Sequence, residues 1–364
     1  MPTSARVAVL AQDKGHLSIV EAVLPDPGPH EVVIKQFSSG VCYSQLHQIH
    51  NPRTTPVVLG HESTGVVIAK GSDVSHVKEG DSVLVTWVPR NRPVNPKPTK
   101  PATLKLPDGT LAVSQNVFTW ADHTIADEQY VVRTPPDTAK DVTAVIACAV
   151  MTGAGAILYT AGVKKGESVA VFGVGGVGLS AIAAAKVVGA DPIIAVDLDD
   201  GKLEFARRFG ATAVINASKE DPVKAIRKLT ENSEKLGTLR NPISGVDFAF
   251  DCIGKKVTME QILRAARTGS LGARCGGTAV LVGVPQTKVE LNALDIVLNE
   301  KKYIGSNGGS CQPDRDFPIF LEWHKSGQLD LNALVTQRFT LDQVNEAVAS
   351  LEAGRVMGRA ILEF

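Results

Sequence analysis

The chain has 364 residues, enough for roughly two domains of about 150 each, and its 44% hydrophobic against 21% charged content excludes disorder of the whole. Its 38 Lys and Arg balance 38 Asp and Glu, so no net field favours nucleic acid or an anionic membrane as a partner. No apolar run approaches the roughly 18 residues that span a bilayer.

In chain order, short β runs broken by Gly and Pro come first: Val7–Leu10, Glu31–Phe37, Ser63–Ala69, Ser82–Thr86 and Tyr130–Val132. Val7–Ala11 has neither the core nor the cleavage site of a secretion signal. The Pro- and Lys-rich stretch Pro89–Asp108 cannot carry sheet pairing through its middle and reads as a surface lobe. From Ser168 the pattern becomes strand, turn, helix, repeated. Strands are expected at Ser168–Phe172, Ile193–Val196, Val246–Phe250 and Thr278–Val282, with helices running to Val188, over Lys202–Phe209 and over Thr258–Thr268. Such alternation predicts a parallel, doubly wound sheet. A helix near Phe317–Lys325, a strand at Gln337–Thr340, a helix around Leu341–Leu351 and a closing strand Arg359–Phe364 form a tail expected to rejoin the first domain. The expected division is 1–150, 151–305 and 306–364.

Gly173-Val174-Gly175-Gly176-Val177-Gly178 follows a predicted strand and opens a predicted helix, the context that makes a GxGxxG run informative. Gly173 permits the tight turn, Gly175 lets backbone approach a pyrophosphate, and Gly178 lets helix and strand pack closely. The helix N-terminus offers free N–H groups to phosphates. Asp197 closes the next strand about twenty residues on, where a carboxylate accepts ribose hydroxyls and repels a 2′-phosphate, so NAD is expected over NADP.

The five cysteines, Cys42, Cys148, Cys252, Cys275 and Cys311, are an odd, scattered set that fits a reducing cytoplasm and no disulfide framework. Cys42, His61 with Glu62, and Cys148 are the arrangement that could supply two thiolates and an imidazole to a catalytic zinc. Taken singly, a small buried thiol and a core or capping histidine are the commoner explanations. His50, His76, His123 and His324 lack a motif context and read as surface or satisfied structural residues.

Nearly end to end, the segments GVCYSQLH, GHESTGVV, GDSVLV, ACAVMTGAGA, GVGGVGLSA, AVDLDDGKLEFARRFGA, GVDFAFDCIG, GTAVLVGVP and GRAILEF resemble the zinc-dependent medium-chain dehydrogenases of the alcohol dehydrogenase family. The resemblance implies a mostly-β GroES-like catalytic domain, a Rossmann cofactor domain and a homodimer or homotetramer. It implies a catalytic zinc on Cys42, His61 and Cys148, with Glu62 beside it as an outer partner or alternate ligand. Ser44 falls where a hydroxyl takes the alcohol proton, and His47 where a histidine ends the relay. Thr152, Val177, Lys202 and Arg359 match residues at the nicotinamide, behind its ring, at the adenosine ribose and at the pyrophosphate. Gly176 and Val282 complete the implied cofactor site.

Three departures stand out. Gln45 replaces an acidic partner of the zinc histidine, Tyr43 replaces a basic residue facing the pyrophosphate, and the lobe at Asn91–Lys105 lacks the four cysteines that hold a structural zinc in relatives. One zinc per chain is therefore expected. Trp87 matches a pocket-lining position and is nearly as well read as a core residue; Trp120 and Phe118 are weaker candidates for the same role. The expected reaction is zinc-dependent interconversion of a small alcohol and its aldehyde or ketone with NAD. A metal-free C=C reductase of the same superfamily and a non-catalytic NAD-binding protein are the competing readings.

Overall fold

The computed structural model describes residues 3–12, 15–91, 100–238, 240–270 and 275–364. They form two units, Met1–Ala149 with Gln312–Phe364, and Val150–Cys311. The boundary after Cys311 has a local cause. The fully buried Cys311 thiol donates to the Met151 carbonyl at 3.3 Å, and Gly155 leaves room for its sulfur.

The first unit opens with β1 (Thr3–Leu10), β2 (Leu17–Leu24), β3 (Glu31–Val41), α1 (Tyr43–His50), β4 (Val57–Val58), β5 (Ser63–Lys70) and β6 (Ser82–Val85). It continues through β7 (Thr103–Lys105), β8 (Leu111–Val113), β9 (His123–Asp127) and β10 (Val131–Arg133). In the second unit, α2 (Ala149–Gly155), which begins at the boundary, precedes β11 (Val169–Phe172), α3 (Gly176–Val188), β12 (Ile193–Asp197), α4 (Asp200–Phe209), β13 (Ala213–Asn216) and α5 (Pro222–Leu229). A hairpin of β14 (Asn232–Leu236) and β15 (Pro242–Ile243) leads to β16 (Phe248–Asp251), α6 (Lys256–Ala265), β17 (Thr278–Leu281), α7 (Ala293–Asn299) and β18 (Lys302–Gly305). The tail is α8 (Pro313–Lys325), α9 (Leu331–Leu334), β19 (Val335–Thr340), α10 (Val344–Glu352) and β20 (Arg359–Glu363).

Two sheets build the first unit, one ordered β2-β1-β4-β8-β7 and one ordered β10-β6-β5-β3-β20-β19, with β9 also on β3. The tail rejoins this unit through β20, which pairs antiparallel with the end of β3, Ala360 opposite Val41. Leu46 and Ile49 of α1 are buried with Leu10, Trp120, Val344 and Leu362 in one apolar cluster. Their burial anchors a helix of only eight residues, too short to persist on propensity alone. Trp120 and Phe118 are wholly buried core residues, Trp120 donating to the Gly40 carbonyl at 3.1 Å, which corrects the pocket-lining reading of both.

In the second unit the parallel sheet runs β13-β12-β11-β16-β17-β18, the 3-2-1-4-5-6 order of a Rossmann fold. Its central strands β12, β11 and β16 are buried on both faces, as parallel strands flanked by helices must be, while the edge strands β13 and β18 are more open. Among the described residues, no helix is long and apolar enough to cross a membrane.

Sequence patterning passed over β2, α1, β9, β13, α5 and β18, all short or without clean periodicity. It also read Pro89–Asp108 as a lobe, yet Thr103–Lys105 pairs with Leu111–Val113. Pro101 and Pro107 bracket that strand without interrupting it, and 92–99, the middle of the stretch, lies outside the described residues.

The glycines of the 173–178 turn do different work. A Cβ on Gly178 would sit 1.9 Å from the Gly173 carbonyl oxygen, whereas a Cβ on Gly175 meets nothing within 4 Å. Gly178→Ala should therefore destabilise the protein by about 1–3 kcal/mol through overpacking, and Gly175→Ala should leave stability nearly unchanged. Urea unfolding of both variants checks this; equal losses would contradict it.

Candidate functional site

Each member of the central cluster is placed by backbone of the first unit. Cys42 is the N-cap of α1, directly after β3. His61 and Glu62 lie between Gly60, whose φ of +91° suits only glycine, and β5. Gly40 in β3 is required by its neighbour, because a Cβ there would lie 2.4 Å from the Glu62 carboxyl carbon. Cys148 follows the buried 3₁₀ stretch Val142–Ala147, held from the side by the Thr86 hydroxyl donating to the Ala147 carbonyl at 2.8 Å.

One ligand atom from each of Cys42, His61, Glu62 and Cys148 lies within 4.8 Å of every other. The two sulfurs are 4.0 Å apart, and Ser44 Oγ donates to Cys42 Sγ at 3.2 Å. The Cys148 thiol beside it pulls the Cys42 thiol well below its ordinary range, while Cys148 is pushed well above by the same contact and by burial. Burial raises the Glu62 carboxyl to about 7, against the downward pull of Arg359. Arg359 is nine-tenths or more buried, donates to Glu62 Oε1 and is held charged by Glu62 and Cys42 against the cost of burial.

These donors fit a zinc ion. Two soft sulfurs and an imidazole are the set that zinc selects. His61 Nε2 is buried with no hydrogen-bond partner, while Nδ1 is held at 2.7 Å by the Gln45 carboxamide. A buried polar atom without a partner is costly unless something occupies it. Trp87 stands edge-on to His61, with ring centroids 6.3 Å apart.

Ser44 and His47, three residues apart on α1, share the face opposite Leu46 and Ile49. Tyr43, 51% exposed, packs edge-on against His47 at 5.6 Å.

In the second unit, Gly173 takes φ of +89° and Gly175 caps α3. Asp197 has a role that spacing did not reveal. Its Oδ2 accepts from the Val174 N–H at 2.9 Å and its Oδ1 from the Leu198 N–H at 2.7 Å, so it braces the glycine turn. Asp251, wholly buried at the end of β16, accepts from the Ile253 and Gly254 N–H groups and fixes the turn beside Gly173. Nothing in its local sequence marked it. Burial pushes the Cys252 thiol up, leaving it a packing group. Thr152 is buried with its hydroxyl unpartnered, Val177 lies on the first turn of α3, Val282 follows β17, and the Lys202 N–H donates to Asp199.

Two family descriptions match the chain: Alcohol dehydrogenase GroES-like domain over residues 28–136, and Zinc-binding dehydrogenase over 176–326. The alcohol dehydrogenase class-3 of Cereibacter sphaeroides is 30% identical over 391 residues, covering 100% of both chains. The chain belongs to the zinc-dependent medium-chain dehydrogenases. An Escherichia coli S-(hydroxymethyl)glutathione dehydrogenase is 31% identical, covering 96% of this chain and 97% of its own. Benzyl alcohol dehydrogenase from Acinetobacter calcoaceticus superposes with a TM-score of 0.84 at 26% identity, covering 100% of this chain and 99% of its own.

As a medium-chain dehydrogenase the protein is an oxidoreductase that interconverts an alcohol and its carbonyl compound, and zinc and NAD are traits of its family. The metal-free reductase and binding-only readings are not favoured.

The Glu62–Arg359 pair generates a test. Arg359→Met would leave a buried carboxylate uncompensated and should cost about 3–5 kcal/mol in the metal-free protein, much of it recovered when Glu62→Gln is added. A double-mutant cycle in urea measures this; additive losses would contradict the pairing.

Proposed function

We propose that the protein oxidises a small alcohol, or reduces the matching aldehyde or ketone, using NAD and one catalytic zinc per chain held by Cys42, His61 and Cys148. The buried pair of sulfurs beside the unpartnered His61 Nε2 carries this reading. When bound, zinc supplies Lewis-acid polarisation of the substrate oxygen and the nicotinamide exchanges the hydride. The chain's own residues do the rest. Ser44 lies against the cysteine sulfur and takes the alcohol proton, and His47, on the same helix face, passes it toward solvent. Glu62 and Arg359 balance charge behind the thiolates. Trp87 narrows the space beside His61 and favours primary alcohols, including those with aryl or allyl groups.

Thr152, Gly173, Gly175, Gly176, Val177, Gly178, Asp197, Lys202 and Val282 form the NAD site in this reading. The open space at Gly175 suits a pyrophosphate, and the Asp197 oxygens keep lone pairs for ribose hydroxyls after bracing the turn. Arg359 enters as the partner of Glu62. A homodimer or homotetramer in the cytoplasm completes this reading, and the free cysteines suit a reducing compartment.

Elemental analysis should find about one zinc per chain, lost in Cys42→Ala; two per chain, or none in active protein, would overturn the metal assignment. NAD should give a much higher kcat/KM than NADP, with Asp197→Gly narrowing the gap, and Gly175→Ala should raise the KM for NAD. Equal kcat/KM for the two cofactors in the unsubstituted protein would contradict the role of Asp197.

A further inference from the structure

Gln45 is buried at 1% exposure, and its carboxamide bridges two groups with opposite demands. Its Oε1 accepts from the Cys42 backbone N–H at 2.9 Å, closing the N-terminus of α1, while its Nε2 lies 2.7 Å from His61 Nδ1. A backbone N–H can only donate, so the carboxamide oxygen is committed to Cys42 and its nitrogen donates to His61. His61 Nδ1 is therefore the acceptor, and the neutral ring carries its proton on Nε2, the buried nitrogen with no partner. That nitrogen can ligate only when the ring proton sits on Nδ1 instead. Two donors, the Gln45 NH₂ and the His61 Nδ1–H, would then face each other. A carboxylate at position 45 would meet both N–H groups with its two oxygens; a carboxamide can serve one.

Resting on the Cys42, His61 and Cys148 centre of the preceding section, we propose that Gln45 is a two-position hydrogen-bond switch coupling metal occupancy to the start of α1. Metal uptake turns the carboxamide so that its oxygen accepts from His61 Nδ1–H. The ring keeps one proton, moved from Nε2 to Nδ1. The Cys42 N–H loses its acceptor, and the first turn of α1, which carries Ser44 and His47, loosens as the metal binds. Gln45 is thus a positioning residue that weakens metal affinity and makes the proton-handling helix responsive to occupancy.

The test uses the metal-free full chain with zinc as the probe and does not depend on turnover. Hydrogen exchange at the Cys42 amide should accelerate on zinc binding, on the order of ten-fold, where ligation by the adjoining sulfur alone would slow it. In Gln45→Glu and Gln45→Asp the acceleration should vanish, and competition with a chromophoric chelator should show zinc held on the order of 10- to 100-fold more tightly in at least one of them. Unchanged or slowed exchange in the wild type with zinc bound, or equal affinity in all three proteins, overturns the switch. If neither variant folds, the wild-type exchange decides alone. Absence of zinc binding, or zinc retained at full affinity in Cys42→Ala, overturns the metal centre and the switch with it.

Discussion

A carboxyl with no solvent exposure resists ionising, and the Arg359 guanidinium pulls Glu62 back against that burial, which still raises it to about 7. Much of the local architecture follows from it. Gly40 gives up its side chain to the Glu62 carboxyl, so β3 can run past the cluster and end at Cys42. β20 brings Arg359 from near the C-terminus and pairs with β3, so the tail joins this unit through both a strand ladder and a buried ion pair. His61 is fixed beside Glu62 by the positive-φ Gly60, and the Cys148 contact, aided by the Arg359 charge, draws the Cys42 thiol down while Cys148 stays well above its ordinary range.

The glycine turn of the second unit is held by backbone N–H groups gathered on a carboxylate. Asp197 binds the glycine turn through backbone N–H groups, so one side chain both shapes the turn and keeps negative charge at the end of β12. Asp251 does likewise for the neighbouring turn after β16, accepting from the Ile253 and Gly254 N–H groups. Gly173, Gly175 and Gly178 are distinct solutions: positive φ, open space above the backbone, and contact too close for a Cβ.

The nucleotide turn was legible because its determinants are contiguous: strand, three glycines, helix and then an acid at the next strand end. The metal cluster was far less so. Cys42, His61 and Cys148 are scattered along the chain, and residue type alone fitted buried thiols and a core histidine; co-linear resemblance joined them. Arg359 was read toward a phosphate, and its partnership with Glu62, 297 residues away, lies in β3–β20 pairing that no local pattern encodes. Helix α1 escaped notice because eight residues of modest propensity form a helix only through the Cys42–Gln45 cap and the burial of Leu46 and Ile49. Gln45 was visible as a departure from relatives, but the direction of its two hydrogen bonds is a fact of three dimensions.

X-ray absorption at the zinc edge of the loaded protein tests the central claim most directly. The account predicts a shell of two sulfurs at about 2.3 Å and a nitrogen at about 2.0–2.1 Å with outer scattering from one imidazole ring. A shell of oxygen and nitrogen without sulfur would contradict it.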